Sequence, residues 1–329
     1  MSRDFADKLA RRQLYSHVPE AEDGAALSDY LAAHFSRFDH AGWRQVIEDG
    51  LVTVNDRPAV PETTLKRHDR VGYFPPETPE PDAVLDYRVV YEDADLLVID
   101  KPGDLCVHPT GPFFHHTLWH LVGSRYGEIR FVHRIDRETS GLVVAARTRR
   151  MAAAMDNGGT PVQKDYLALV TGDFRGRVHA EGFLVHDATS AVRKKKRFVF
   201  ADSPEAASIR LDPTAETAVT ELLEESHAPP DMTLVRAVLG TGRQHQVRAT
   251  LHSLGFPLAG DKLYGPDERL FLKIKSQSLT DADRTLLRFK RQALHAAVLE
   301  FRHPFTGELL HFESPFPWSD FGWAGPPLR

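Results

Sequence analysis

The fold expected for this chain is decided by one stretch, His133-Arg134-Ile135-Asp136-Arg137-Glu138-Thr139-Ser140-Gly141-Leu142. It places a carboxylate, Asp136, between two arginines and continues through a Thr-Ser-Gly turn into the apolar run 142–146, which is typical of a buried strand. Nearby positive charge lowers the pKa of a carboxyl group, so we expect Asp136 to be ionised at neutral pH. A fixed, ionised carboxylate can act as a nucleophile or as a base. A salt-bridged surface aspartate would have the same local sequence, so the stretch by itself leaves both interpretations open.

Two further segments carry polar side chains in sequence patterns that predict a strand and a helix. Alternation over 164–170 predicts a strand with Tyr166 on one face. Downstream, a Gly-rich turn is predicted to open an amphipathic helix whose apolar face is formed by Val247, Leu251 and Leu254. The glycines of this turn, Gly240 and Gly242, lack the spacing and context of a dinucleotide-binding or phosphate-binding loop.

Taken together, these segments resemble the ordered motifs of the RluA-type pseudouridine synthases, which isomerise uridine to pseudouridine in RNA. The resemblance runs from about Val89 to Pro317, and Ile135 replaces the usual leucine. The matching segments, in chain order, are Lys101–Gly103 with Val107–Pro109, His133–Leu142, Gln163–Val170, Thr241–Arg248, Gly260–Gly265, and Arg291–Ala296 with Phe301–Gly307. The Gly260–Gly265 segment continues the motif at Thr241–Arg248, and five motifs in family order are far more specific than any one of them.

The resemblance implies a set of site residues. Asp136 takes the place of the family's indispensable aspartate, and we expect Arg243 to be its ion-pair partner. Tyr166 is expected to stack on the target uracil and to move a proton at C5. The planar guanidinium of Arg134 is expected to occupy the space that the target base leaves. The substrate-binding residues that we expect are Arg134, His133, Arg137, Lys164, His245 and Arg248.

The chemistry implied by the resemblance needs no cofactor, because it is a redox-neutral isomerisation. Whether Asp136 attacks the sugar, attacks the base or removes a sugar proton stays open at this point. His116 and His120 are four residues apart, but they lack the glutamate of the zinc-protease helix motif and any cysteine partner, so we expect no metal site.

Composition limits the class of protein. The 329 residues are 42% hydrophobic and 26% charged, with a net charge of -5, so an RNA-binding surface would have to be a local basic patch. A single cysteine excludes an intrachain disulfide, and no apolar run reaches the ~18–20 residues that span a membrane. We therefore expect a cytoplasmic protein without a membrane segment, and a monomer.

A Pro-rich stretch indicates a domain boundary. We expect an N-terminal domain over 1–75, a linker over 76–88 and a catalytic domain over 89–329. Helices are predicted around Leu31 and Trp43, followed by a strand, a turn at Asn55-Asp56 and a strand at 71–74 that closes a small sheet. This order is similar to an S4-like RNA-binding domain, although a generic small α+β unit would have the same pattern.

The expected fold class is therefore α+β. The resemblance implies a mixed, mostly antiparallel central sheet with flanking helices and a catalytic cleft, preceded by the small S4-like α+β domain. The predicted function is isomerisation of specific uridines in structured RNA, with ribosomal RNA favoured and transfer RNA also open. The alternative is an RNA-binding or assembly protein that has kept this fold without turnover.

Overall fold

The computed structural model describes residues 3–156, 159–228, 231–276 and 278–323. The chain forms two compact units. The first comprises the chain up to Pro81 together with Thr110–His115 and Gly123–Glu128, and the second comprises Asp82–Pro109, His116–Val122 and the chain from Ile129. The division between Pro81 and Asp82 falls inside the linker predicted over 76–88. The two short segments that join the first unit lie within the range that we assigned to the catalytic domain.

The first unit is a four-stranded antiparallel sheet, in the order β1-β4-β2-β3, with helices packed on it. Its turn at Asn55-Asp56 has φ of 51° and 63°, the left-handed pair that a tight hairpin turn requires. The helices, the hairpin and the closing strand confirm the elements predicted here. The elements are α1 (Arg3–Ala10), β1 (Leu14–His17), a 3-10 turn (Glu20–Glu22), α2 (Leu27–His34), α3 (His40–Glu48), β2 (Val52–Val54), β3 (Arg57–Pro58) and β4 (Arg70–Tyr73).

The second unit is built on an eleven-stranded sheet in the order β11-β10-β12-β13-β9-β14-β8-β6-β5, with β15 beside β14 and β7 beside β8. Within the described residues, every pairing of these strands is antiparallel except that of β8 with β14, so the predicted mixed, mostly antiparallel sheet is confirmed. The strands are β5 (Arg88–Glu92), β6 (Leu96–Lys101), β7 (Arg130–Phe131), β8 (Ser140–Ala146), β9 (Val162–Thr171), β10 (Arg177–His186), β11 (Lys196–Phe200), β12 (Glu216–Ala228), β13 (Met232–Leu239), β14 (Leu294–Arg302) and β15 (Leu309–Glu313).

Helices flank this sheet, and α7 lies against β10 and β11. The predicted helix is present as α7, with Val247 and Leu251 buried in the core and Leu254, just after the helix, packed against it. It is not amphipathic over its first six residues, because residues 246–251 are all buried. The helices are α4 (Leu118–Tyr126, which begins in the second unit and ends in the first), α5 (Arg149–Met155), α6 (Ala206–Ile209), α7 (Gln246–Ser253), α8 (Arg269–Lys275), α9 (Asp281–Leu287) and a 3-10 turn (Trp318–Phe321).

Strand β8 brings the loop that carries Asp136 to the middle of the sheet. All seven of its residues are buried, as the apolar run predicted. Leu142 and Val144 pack in one core cluster with α5, whereas Val143 packs in the other with Tyr166, because successive side chains of a strand point to opposite faces. The parallel pairing of β8 with β14 places the loop before β8 beside the start of β14.

Gly141 is required where β8 meets β14. Its φ is +106°, and a Cβ atom built on it would lie 2.2 Å from the carbonyl oxygen of Ala296. We expect Gly141→Ala to destabilise the protein by about 3 kcal/mol or more, because it adds a backbone clash to an unfavourable φ. Chemical denaturation of Gly141→Ala and Gly307→Ala checks this, since Gly307 has φ +73° but open space around it and so isolates the φ effect. Equal losses in the two variants would contradict the account.

Candidate active site

A pocket opens beside Asp136, and all its lining residues belong to the second unit. Its empty volume is about 660 Å³, part of which is open to solvent. Its walls come from the loop before β8, from the turn that opens α7, and from the side chains of Tyr166 and Leu294. Segments that are far apart in the sequence therefore meet at one cavity.

The carboxylate of Asp136 faces this pocket with its side chain 33% exposed. Its Oδ2 accepts a 2.6 Å hydrogen bond from Nη1 of Arg248, and Nε2 of Gln292 lies 3.5 Å from the same oxygen. Its Oδ1 lies 3.8 Å from Nε2 of His245, which is too long for a hydrogen bond. One carboxylate oxygen is thus tied to a cation, while the other makes no hydrogen bond to any residue that the structure describes.

Arg248 is itself held from behind by Asp261, which is fully buried. The Nε and Nη2 atoms of Arg248 donate hydrogen bonds of 2.7 and 2.8 Å to the two oxygens of Asp261. Asp261 Oδ1 also accepts 2.9 Å bonds from the backbone N–H groups of Leu263 and Tyr264. Two parallel bonds fix the guanidinium plane, so the remaining nitrogen points at Asp136.

The charge of Arg248 decides the ionisation of Asp136. Burial disfavours the charged carboxylate, but the positive charge of Arg248, the neighbouring His245 and the hydrogen bonds together lower the pKa of Asp136 to about 2. The same interactions act in reverse on Arg248, whose pKa is raised against the effect of burial. The predicted ionised carboxylate is therefore what this geometry produces.

We expect the Asp136 carboxyl group to remain fully ionised at pH 4, where an ordinary aspartate is about half protonated. A carboxyl group with a depressed pKa stabilises the folded state above its unfolded-state pKa, and that stability is lost as the pH falls through its folded-state pKa of about 2. Carbon NMR of aspartate-labelled protein, with the Asp136 signal assigned by its loss in Asp136→Asn, measures this directly. A titration midpoint at about pH 4 or above would contradict the pairing with Arg248.

The loop after Asp136 is held by bonds to distant parts of the chain. Nε2 of Gln292 donates a 2.7 Å hydrogen bond to Oγ1 of Thr139, and its backbone N–H donates a 3.0 Å bond to Glu138. Glu138 also accepts a 2.7 Å bond from Nζ of Lys262. Lys101, which is 1% exposed, donates to the backbone carbonyls of Pro102, Leu105 and Arg137. These contacts fix the backbone on which Asp136 is carried.

The prediction that Arg243 is the ion-pair partner of Asp136 is wrong in this structure. Arg243 lies in the turn before α7, and its Nε donates a 3.2 Å hydrogen bond to the carbonyl of Thr217. Arg248, on the first turn of α7, makes the pair instead. The two arginines belong to one short segment, and the start of the helix at Gln246 points the second of them inward. Arg243 still lines the pocket, where it can contact a ligand.

The other predicted residues are placed as follows. Tyr166 lies in the pocket wall, 8% exposed, and burial, followed by the charge of Asp136, raises its pKa. Arg134 also lines the pocket, with its side chain at the exposed side. Arg137 is outside the lining and pairs with Asp104 at 3.1 Å and with Glu138 at 3.5 Å. Its predicted contact with substrate stays a prediction.

His133 and Lys164 lie close to the pocket without lining it. Burial, with the charge of Lys164 added, lowers the pKa of His133 to about 3, so this imidazole is neutral. Burial also lowers the pKa of Lys164. The Nζ atom of Lys164 lies near the backbone of Gly242, 3.9 Å from where a Cβ would be. A cation at this position can approach a phosphate at the pocket entrance.

The basic run 193–197, beside the pocket, is largely neutralised. Lys195 pairs with Glu268 at 2.9 Å, while Lys196 and Arg197 pair with Glu216 and Glu205. Arg193 and Lys194 are the exposed members of the run. The positive charge that this segment offers to a ligand is therefore smaller than its sequence suggests.

Three residues of the site were not assigned a role from the sequence: Asp261, Gln292 and Lys101. Each one lies in a segment that we quoted for the family resemblance. A buried role for Asp261 was signalled by the charged pair Asp261-Lys262 inside an otherwise apolar stretch. For Gln292 and Lys101 no local signal existed, because their partners are distant in the chain.

Within the residues that the structure describes, no cluster of three or more histidine, cysteine or acidic side chains is arranged to hold a metal ion. In the same described ranges, no helix is long and apolar enough to cross a membrane.

Comparison with known proteins identifies the family that this chain resembles. The family model for RNA pseudouridylate synthase matches residues 95–253, which include Asp136, Tyr166 and Arg248. An uncharacterized RNA pseudouridine synthase of Bacillus subtilis, YlyB, is 32% identical over 314 residues, covering 91% of this chain and 92% of that protein. Ribosomal large subunit pseudouridine synthase D of Vibrio parahaemolyticus is 32% identical over 320 residues, covering 92% of this chain and 91% of that protein.

A solved structure agrees with these relatives. Human RNA pseudouridylate synthase domain containing 1 superposes with a TM-score of 0.54 at 26% identity, covering 73% of this chain and 87% of that chain. The sequence matches extend over nearly the whole chain, and the structural match covers most of it. The chain therefore belongs to the RNA pseudouridine synthase family, whose members isomerise uridine to pseudouridine in RNA.

Proposed function

We propose that Asp136 is the catalytic carboxylate of this pseudouridine synthase and that the pocket beside it receives the target uridine. The observation that carries this proposal is the pairing of Asp136 with Arg248 at 2.6 Å, which keeps a pocket-facing carboxylate ionised. The reaction detaches uracil from its sugar at N1, rotates it and rejoins it through C5, so a charged group must reach the sugar or the base. Asp136 Oδ1, which makes no hydrogen bond to a described residue, is the atom that we assign to this task.

The target nucleotide has to leave the base stack, because its reacting atoms are inaccessible inside one. Tyr166 offers an aromatic face for the extruded uracil, and such stacking contributes about 1–3 kcal/mol per base. The raised pKa of Tyr166 favours the neutral phenol, so we assign it to stacking and hydrogen bonding and not to action as a phenolate. Arg134, on the exposed side, is placed to fill the space that the base vacates.

We further propose that the substrate is large-subunit ribosomal RNA. Support comes from the relatives named for that substrate, which match more than nine-tenths of this chain. The four-stranded sheet together with helices α2 and α3 supports an S4-like RNA-binding role for the first unit. Transfer RNA is the second candidate substrate. The cytoplasmic location and the monomeric state expected from the sequence stay predictions.

The test is pseudouridine mapping in RNA that lacks modifications. Purified protein is incubated with protein-free large-subunit ribosomal RNA, small-subunit ribosomal RNA and transfer RNA transcripts, and pseudouridines are located by chemical derivatisation and primer extension. We expect product at defined positions of the large-subunit RNA. Product in transfer RNA alone would overturn the substrate assignment. RNA binding without product in any of the three, under conditions where a related synthase is active, would favour a non-catalytic RNA-binding role.

A further inference from the structure

His245 occupies an unusual position at the edge of the pocket. Its side chain is 4% exposed, and its backbone has φ of 59°, the left-handed region, immediately before α7. A non-glycine residue held in this region is strained, and such strain is often found at functional sites. Its Nε2 atom faces Asp136 at 3.8 Å and makes no hydrogen bond to any residue in the described ranges. A ring nitrogen of a largely buried side chain, with no hydrogen bond to a described residue, thus lies at the pocket.

The other ring nitrogen, Nδ1, lies 3.1 Å from the hydroxyl of Tyr264. Tyr264 is fully buried, and its hydroxyl oxygen accepts a 3.0 Å hydrogen bond from the backbone N–H of Lys196. The hydroxyl hydrogen must therefore go elsewhere, and within the described residues Nδ1 of His245 is the acceptor it reaches. A Tyr264 hydroxyl that donates to Nδ1 leaves the ring proton on Nε2.

The ring is neutral, so it carries only one proton. Burial, followed by the charge of Arg248, lowers the pKa of His245 to about 4, against the opposing effect of Asp136. Tyr264 also supports Arg248, whose guanidinium carbon lies 5.0 Å from the centre of the Tyr264 ring. A single buried tyrosine thus contacts both residues that flank the Asp136 carboxylate.

We propose that His245 donates a hydrogen bond from Nε2–H to an oxygen of the nucleotide bound beside Asp136, and that Tyr264 is the positioning residue that fixes this tautomer. The inference rests on the proposed function for its ligand, a flipped uridine, whose uracil carbonyls and ribose hydroxyls are the candidate acceptors. A fixed donor aimed at a substrate oxygen costs no reorganisation during the reaction, which is why such donors accelerate chemistry. His245 would be a catalytic residue in this sense, whereas Tyr264 acts only through it.

The tautomer can be measured without substrate and without activity. In protein labelled with nitrogen-15 histidine, and with the His245 signals assigned by their loss in His245→Gln, we expect an acceptor-type resonance for Nδ1 and a protonated resonance for Nε2. Tyr264→Phe removes one hydroxyl and should allow both tautomers to appear. Tyr91→Phe is the matched control, because it removes a tyrosine hydroxyl that donates to Asp93, in the turn between β5 and β6, and does not touch His245. A protonated Nδ1 in the wild type would overturn the inference.

Kinetics test the donor separately from the backbone strain. Gln places a donor near the position of Nε2, whereas Asn tolerates the left-handed backbone better but is too short to place one there. We expect His245→Asn to lower the single-turnover rate on the order of 100-fold with RNA affinity little changed, and His245→Gln to recover much of it. Tyr264→Phe should lower the rate about tenfold. If His245→Asn were as active as wild type or more active than His245→Gln, strain would be the relevant property and the donor would not.

The substrate oxygen that accepts the hydrogen bond from His245 is identified by removing one candidate, the 2′-hydroxyl. RNA with 2′-deoxyuridine at the target position is compared in the wild type and in His245→Asn. If the deoxy substitution lowers the single-turnover rate of the wild type only, the 2′ oxygen is the acceptor of the His245 hydrogen bond. If it lowers both rates equally, the acceptor is a uracil carbonyl. If wild type forms no pseudouridine in any RNA, the proposed function fails, while the NMR result still decides whether Tyr264 sets the tautomer.

Discussion

Asp136→Asn is expected to abolish turnover while leaving the fold and RNA binding intact. Asparagine has nearly the same shape as aspartate, but it is neutral and can act neither as a nucleophile nor as a base under these conditions. We expect the single-turnover rate to fall at least about 10³-fold, which corresponds to about 4 kcal/mol of transition-state stabilisation. RNA affinity should change little, because Arg248 retains Asp261 as a partner and the pocket walls are unchanged.

Asp104→Asn is the matched control for this variant. Asp104 is also an aspartate paired with an arginine close to the same loop, at 3.1 Å from Arg137, but it does not line the pocket. Its backbone φ of 64° is one that asparagine tolerates well. The single-turnover rates of Asp136→Asn and Asp104→Asn, measured with the same RNA preparation, should therefore differ. Turnover retained by Asp136→Asn would remove Asp136 from the mechanism.

The second large effect is expected from Arg248→Met. This change leaves Asp261 buried without its cation and removes the partner of Asp136, and breaking a buried ion pair in this way costs about 3–5 kcal/mol. Methionine has about the volume of arginine, so the loss of stability reports on the loss of the charge. We expect a large fall in the free energy of unfolding, together with a higher pKa of Asp136, because the largest effect that opposes burial is removed.

Two further variants serve as controls for Arg248→Met. Arg248→Met combined with Asp261→Asn should be less destabilised than Arg248→Met alone, because no buried charge is then unpaired. Arg288→Met removes an arginine whose pair with Asp231 is more exposed, and it should cost about 1 kcal/mol or less. Chemical denaturation of all the variants gives the comparison. Equal destabilisation by Arg248→Met and Arg288→Met would mean that the Asp261–Arg248–Asp136 chain does not hold the site together.

Much of the fold could be predicted because local pattern and tertiary environment agree. The apolar run after Gly141 became a fully buried strand, and the alternation around Tyr166 became a strand with Tyr166 in the pocket wall. The turn at Asn55-Asp56 followed from residues that tolerate left-handed conformations. Resemblance to a family supplied the architecture that these local patterns do not contain.

The site was less predictable, because its contacts join residues that are distant in the sequence. Arg243 and Arg248 are equally polar in the segment, and only the start of α7 and the position of Asp261 decide which of them meets Asp136. Gln292 reaches Asp136 across 156 residues. No periodicity or spacing encodes such contacts, so the ion-pair partner of Asp136 could not be derived from the chain alone.

The central claim is that the pocket beside Asp136 is where uridine reacts. A structure of the Asp136→Asn variant bound to its RNA substrate tests it most directly. We expect a uridine extruded from the stack, with its base against Tyr166 and its sugar or base within hydrogen-bond distance of the side chain at position 136. A target uridine that stays stacked, or that binds away from the walls formed by Tyr166 and Arg248, would contradict it.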